Sequence, residues 1–162
     1  MSGVVQAQDI EGNIHEVLAS DLRWRPSAYA VVMHNGCVLL SKQFDGFDLP
    51  GGGLDFGEMP DAAAIRETKE ETGIDVTSPR LLAAESNFFK LPHSDKGEFI
   101  QSIMLYYQCD FVGGELSIDG FDEHEKIYGD MPEWLPIEQL KTIKVASSFD
   151  WRPIVQNVAA TI

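Results

Sequence analysis

The stretch that decides the fold runs from residue 49 to residue 74: Leu49-Pro50-Gly51-Gly52-Gly53-Leu54-Asp55-Phe56-Gly57-Glu58-Met59-Pro60-Asp61-Ala62-Ala63-Ala64-Ile65-Arg66-Glu67-Thr68-Lys69-Glu70-Glu71-Thr72-Gly73-Ile74. Within it the apolar pattern changes from a period of 2 to one of 3.6. Pro60 suits a first helical residue, whose N–H would have no partner anyway, and Asp61 suits the positive first turn. Ala62-Ala63-Ala64 are strong helix formers, and Gly73 is a stop. The spacing predicts one helix of about twelve residues. At about 100° per residue, Glu70 and Glu71 fall on the same patch as Glu67. Ala63 and Ala64 lie one turn earlier, so nothing bulky crowds the carboxylates, whereas Ile65, Thr68 and Thr72 point toward packed protein. Three like charges repel; Lys69 faces away, and Arg66 on the flank relieves them in part.

Such a patch is either a solvated face or a cation site, and the residues before it weigh toward the second. The glycines 51–53 let the backbone turn sharply and approach a ligand closely. They are not a Walker loop, since no Gly-Lys-Ser/Thr follows. A glycine loop leading into a helix with three carboxylates offers hard oxygen ligands, suited to Mg²⁺ or Mn²⁺.

Working outward, Val4–Gln8 and Ile14–Leu18 flank a turn at Glu11-Gly12-Asn13 and predict a hairpin. Residues 27–33 and 37–40 flank His34-Asn35-Gly36, a second hairpin. A turn-rich stretch covers 43–53. Beyond the helix, 80–89 and 99–111 read as long strands and 116–118 as a short one. Residues 119–130 read as an acidic loop, Trp134-Leu135 as a last strand, and 137–140 and 150–159 as short helices. Strands on both sides of one well-marked helix predict an α+β domain with a mixed sheet, occupying 1–162 as a single unit.

Composition narrows the partners. Twelve Lys and Arg against 26 Asp and Glu leave a net charge of −14 among 162 residues. That opposes binding to a nucleic acid polymer, which needs cations on phosphates, and is compatible with simple solubility or with a metal-dependent phosphate enzyme. Cys37 and Cys109 lie far apart and read as small hydrophobes in a reducing compartment. His15, His34, His93 and His124 form no cluster at metal-ligand spacing. No apolar run approaches a membrane span, and the first ten residues show no export pattern, so a cytoplasmic location is expected, with no membrane partner. A homodimer is the default assembly, with no interface legible in the chain.

The order Gly52, Glu58 and Arg66-Glu67-Thr68-Lys69-Glu70-Glu71-Thr72-Gly73-Ile74 resembles the Nudix box. Every charged and glycine position matches. Thr68 stands where Ile, Leu or Val is usual, which predicts slightly poorer packing and no effect on the metal site. Phe47-Asp48-Leu49-Pro50-Gly51-Gly52 looks like the family's lead-in, with Phe47 where Trp is common.

The resemblance implies a mixed β-sheet sandwiched between helices, an α/β/α sandwich. It also implies Mg²⁺-dependent hydrolysis, with Mn²⁺ as substitute, of a nucleoside diphosphate linked to another moiety. Glu70 and Glu71 would be first metal ligands, Glu67 would share a metal or accept a proton, and Gly52 would add its backbone carbonyl. Arg66 would orient the glutamates, and Glu58 would support them or cap the helix. The family takes its general base from the helix or a later loop, which here offers Asp122, Glu123 and Glu125, with Glu123 and Glu125 the candidate loop bases. Lys42 is a candidate for a substrate phosphate, Phe44 and Phe47 for stacking on a base. The expected substrate is a small nucleotide: a nucleoside triphosphate or modified dNTP, cut to a monophosphate and pyrophosphate. ADP-ribose or a nucleotide sugar is the alternative, and a nucleotide-sensing module without catalysis is the alternative of another class.

Overall fold

The computed structural model describes residues 3–91, 98–123 and 125–161; Pro92, His93 and His124 lie outside these. In chain order the elements are β1 (Val4–Gln8), β2 (Ile14–Leu18), β3 (Arg23–His34), β4 (Cys37–Gln43), β5 (Gly46–Asp48), β6 (Gly51–Gly53), α1 (Pro60–Thr72), β7 (Ile74–Lys90), β8 (Phe99–Gly114), α2 (Glu125–Tyr128), β9 (Gly129–Pro136) and α3 (Arg152–Ala159). Both hairpins form where Gly12 and Asn35-Gly36 provide turns with positive φ.

The strands make one curled mixed sheet in the order β2-β1-β7-β8-β3-β4-β5, with β6 paired to β3 and β9 to β4. Its centre combines a long antiparallel pair, β7 with β8, and a parallel pair, β3 with β8. Alternation along β3 sorts the two faces. Ala28 packs with Ala63 and Ala64 of α1, and Ala30 and Val32 lie in a cluster against which Ile65 packs. On the other face Val31 joins Leu40, Leu49, Met104 and Tyr106 with Trp151, Val155 and Val158 of the C-terminal helix segment. Helices thus cover both faces, as an α/β/α sandwich requires.

Three expectations change. The turn-rich stretch holds β5 and β6, because Gly51, Gly52 and Gly53 find pairing partners in Tyr29, Ala28 and Ser27. No strand forms at 116–118: the Ser117 N–H donates to the Thr72 carbonyl at 3.0 Å, so this segment serves the end of α1 instead. The acidic loop contains α2. Cys37 and Cys109 are free thiols, and burial pushes Cys109 up to about 11. No helix among the described residues is long and apolar enough to cross a membrane.

Candidate active site

Helix α1 starts at Pro60 and ends at Gly73, whose left-handed conformation lets its N–H donate to Lys69 O at 2.9 Å. Its buried residues are Ala63, Ala64, Glu67, Thr68, Glu71 and Thr72. Thr68 is fully buried, and its hydroxyl donates to Ala64 O at 2.7 Å. Two of the glutamates are therefore buried beside the alanines, with Glu67 8% and Glu71 4% exposed.

A buried carboxylate needs donors, and the neighbouring strands supply them. The Gly51 N–H donates to Glu71 Oε2 at 3.1 Å and Gln43 Nε2 to Oε1 at 3.4 Å. Desolvation nevertheless holds Glu71 well above the ordinary Glu value. Burial also raises Glu67, against the lowering effect of the adjacent Arg66. Gly52 provides space for Glu67: a Cβ there would lie 2.7 Å from Oε1.

Arg66 ties the acids together. Its Nε and Nη2 donate to Oε1 and Oε2 of Glu58 at 2.7 and 2.8 Å, a two-pronged fork. Its Nη1 donates to Glu67 Oε1 and Glu70 Oε2, both at 2.9 Å. Arg66 in turn pulls Glu58 down to about 2. Glu58 does not cap α1: the capping position is Met59, with no side-chain bond, and Glu58 accepts the Asp55 N–H at 3.1 Å instead.

The carboxylate group that converges is not the helical trio. Oxygens of Glu67, Glu71 and Glu125 all lie within 4.8 Å of one another. Glu70, four residues from Arg66, pairs with it at 2.9 Å beside this cluster, its side chain 44% exposed. Glu125 arrives from the acidic loop, where a reciprocal cap fixes it. The Glu125 N–H donates to Asp122 Oδ1 at 2.8 Å and the Asp122 N–H to Glu125 Oε2 at 2.7 Å. Gly120 presses this loop onto the Glu70 backbone, where a Cβ would come 2.7 Å from its Cα. Burial raises Glu125 too. Three carboxylates at this spacing, each raised by burial, fit a hard divalent cation.

These acids, with Gly52, Arg66 and Glu70, line a cavity of about 590 Å³. Other sequence candidates lie elsewhere. Lys42 Nζ turns to Glu133 at 3.2 Å and Asp130 at 3.9 Å on β9 and does not line the cavity. Phe47 packs on the core, its backbone tying down the 144–146 segment through bonds of 2.9 and 2.8 Å. Glu123 pairs with Lys126 at 2.7 Å and stays exposed. Phe44 does reach the cavity, stacked on Tyr128 with ring centroids 4.8 Å apart. Residues that sequence reasoning passed over are Arg25, Gln43 and Asn87. The Asp122-x-x-Glu125 capping pattern was the one local signal that distinguished Glu125 from Glu123.

The family model described as NUDIX domain matches residues 23–154. The chain is 28% identical over 148 residues to an RNA pyrophosphohydrolase of Agrobacterium fabrum, covering 80% of this chain and 87% of that protein. It is 34% identical over 104 residues to an ADP-ribose pyrophosphatase of Methanocaldococcus jannaschii, covering 54% and 58%. Among solved structures, a NUDIX hydrolase from Nitrosomonas europaea superposes with a TM-score of 0.65 at 16% identity, over 86% of this chain and 90% of that one.

Proposed function

The chain belongs to the Nudix family of hydrolases, and on that premise we propose that it is a divalent-metal-dependent pyrophosphohydrolase acting on small nucleotides. The observation that carries this is the convergence of Glu67, Glu71 and Glu125 within 4.8 Å at the wall of a nucleotide-sized cavity. These three would hold the cation, Mg²⁺ or Mn²⁺, with Gly52 beside them. When bound, it would neutralise charge developing on phosphate oxygens and lower the pKa of the attacking water.

The chain's own residues set the rest. Arg66 fixes Glu67 and Glu70 in place, and the Glu58 fork fixes Arg66. Glu67 either shares the cation or accepts the water's proton, and Arg66 Nη1 holds it in place at 2.9 Å for that role. Glu71 must be ionised to hold a cation, and burial raises its titration, so ligand affinity rises with pH.

A nucleoside triphosphate, or its modified deoxy form, is the proposed substrate, yielding a monophosphate and pyrophosphate. The relatives named RNA pyrophosphohydrolase suggest a triphosphate end as well. Against a polymer stands the charge of −14, with Arg25 and Arg66 the cations lining the cavity among the described residues. One observation favours a second reading, ADP-ribose or a nucleotide sugar. A further cavity of about 470 Å³ adjoins the first across Phe44 and Phe89 and has room for a second bulky group.

A panel of nucleoside triphosphates, ADP-ribose and nucleotide sugars, assayed with Mg²⁺ and Mn²⁺ and with products identified, tests this. Pyrophosphate supports the first reading and a sugar phosphate the second. Phosphate-bond cleavage that persists unchanged in Glu71→Gln refutes the assignment of the site. Saturable binding without turnover identifies a sensor.

A further inference from the structure

On the cavity floor three adjacent strands place polar residues in one row. Arg25 of β3 is in register with Ser102 of β8, and Ser102 with Asn87 of β7. All three line the cavity that Glu67, Glu71 and Glu125 also line. The Arg25 guanidinium runs along Gly53, where a Cβ would come 3.6 Å from Nη2, one residue beyond the Gly52 that Glu67 abuts.

Arg25 and Arg66 differ in what they already hold. Arg66 is committed to Glu58, Glu67 and Glu70. Arg25, half-buried in the same acid-rich cavity, has no hydrogen bond or ion pair with any described residue. Asn87 is half committed. Its Nδ2 donates to Ser148 Oγ at 2.6 Å, while its Oδ1 is buried without a partner among the described residues. An idle guanidinium and an unmet buried amide oxygen in one row are two separate signs of a missing ligand.

We propose that Arg25 and Asn87 are substrate-binding residues for the half of the substrate that points away from the acidic cluster. The guanidinium holds an oxygen of that half's phosphate, and Asn87 Oδ1 accepts a hydrogen bond from a hydroxyl of the sugar attached to it. Guanidinium suits this role because its planar fork matches phosphate oxygens and keeps its charge at any working pH. The assignment rests on the pyrophosphohydrolase reading, and both arginines then have distinct work: Arg66 orders the acids and Arg25 meets the substrate.

The test measures binding of α,β-methylene ADP with Mg²⁺ by calorimetry to wild type, Arg25→Gln, Arg25→Lys and Asn87→Ala, alongside steady-state kinetics on the best substrate of the panel. Arg25→Gln is expected to weaken binding by about tenfold to a hundredfold and to raise KM with little change in kcat. Asn87→Ala is expected to weaken it several-fold. Melting temperatures close to wild type exclude a merely structural role. Binding by Arg25→Gln within twofold of wild type overturns the proposal, as does wild type that fails to bind the analogue. Should Arg25→Gln not fold, Arg25→Lys answers the same question, because losing the fork weakens binding and unchanged affinity overturns it. Turnover separates the two claims. Wild type that hydrolyses nucleotides indifferently to Arg25 leaves the function standing and removes this inference; Arg25-dependent binding without turnover does the reverse.

Discussion

Gly52 and Glu67 occupy space that only one side chain can fill: a Cβ on Gly52 would lie 2.7 Å from Glu67 Oε1 and 2.8 Å from its carboxyl carbon. The glycine's function is that emptiness. Gly52→Ala is expected to push Glu67 from Glu71 and Glu125 and to lower kcat/KM by about tenfold or more, with Mg²⁺ affinity falling in parallel. Kinetics together with a Mg²⁺ titration checks this; an alanine variant with wild-type values would show that Glu67 does not need its present position.

The two loop glutamates give opposite expectations. Glu125→Gln should lower kcat by about 10- to 100-fold, because it removes one of three converging charges. Glu123→Gln, which removes only an exposed pair with Lys126, should leave kcat within twofold and the melting temperature close to wild type. Equal effects in the two variants would contradict the geometry of the loop.

Stability should depend on pH through the buried acids. Glu71 and Glu67 titrate above the ordinary value of 4.5 in the folded chain, so the folded state holds their protons more tightly than the unfolded state. Their contribution is complete below about pH 4.5 and is lost as pH rises through the folded values. In EDTA, Glu71→Gln should therefore gain on wild type in melting temperature as pH climbs from 4.5 toward 8. Mg²⁺ needs the ionised carboxylates, so its stabilisation of wild type should be larger at pH 8 than at pH 5. At a hundredfold excess over Kd it should reach about 5–10 °C. Scanning calorimetry at four pH values decides, and a pH-independent difference between the two proteins would count against carboxyls whose titration is raised by burial.

Glu58 acts through Arg66. Glu58→Gln keeps the shape but discharges the fork, and Arg66 then has less to hold it between Glu67 and Glu70. The expected outcome is a drop in kcat/KM of about tenfold. Unchanged kinetics would mean that the helix positions its own acids without this support.

How much of this was legible in the sequence differs residue by residue. The start of α1 at Pro60 and its end at Gly73 followed from local chemistry, and so did the burial of Thr68 and Thr72. The helical wheel placed Glu67, Glu70 and Glu71 on one patch but did not show which edge of the patch faces the sheet. Packing on β6 buries Glu67 and Glu71, whereas Glu70 stays half-exposed in the cavity wall, paired with Arg66. Lys42 and Phe47 were read from residue type and nearness in sequence to the glycine loop, without their partners across the fold. The β9 partner instead gave Lys42 to Glu133, and the bonds to the 144–146 segment hold Phe47 at the core, while Phe44 lines the cavity.

A glycine strand followed by a helix rich in glutamates was determined by the order of residues, because turn chemistry, helix propensity and capping act over a few positions of the chain. The meeting of Glu125 with Glu67 and Glu71, and the row Arg25, Ser102 and Asn87, were decided only by the folded sheet. Strand register is fixed by pairing between distant segments, and no local spacing contains the distance between them.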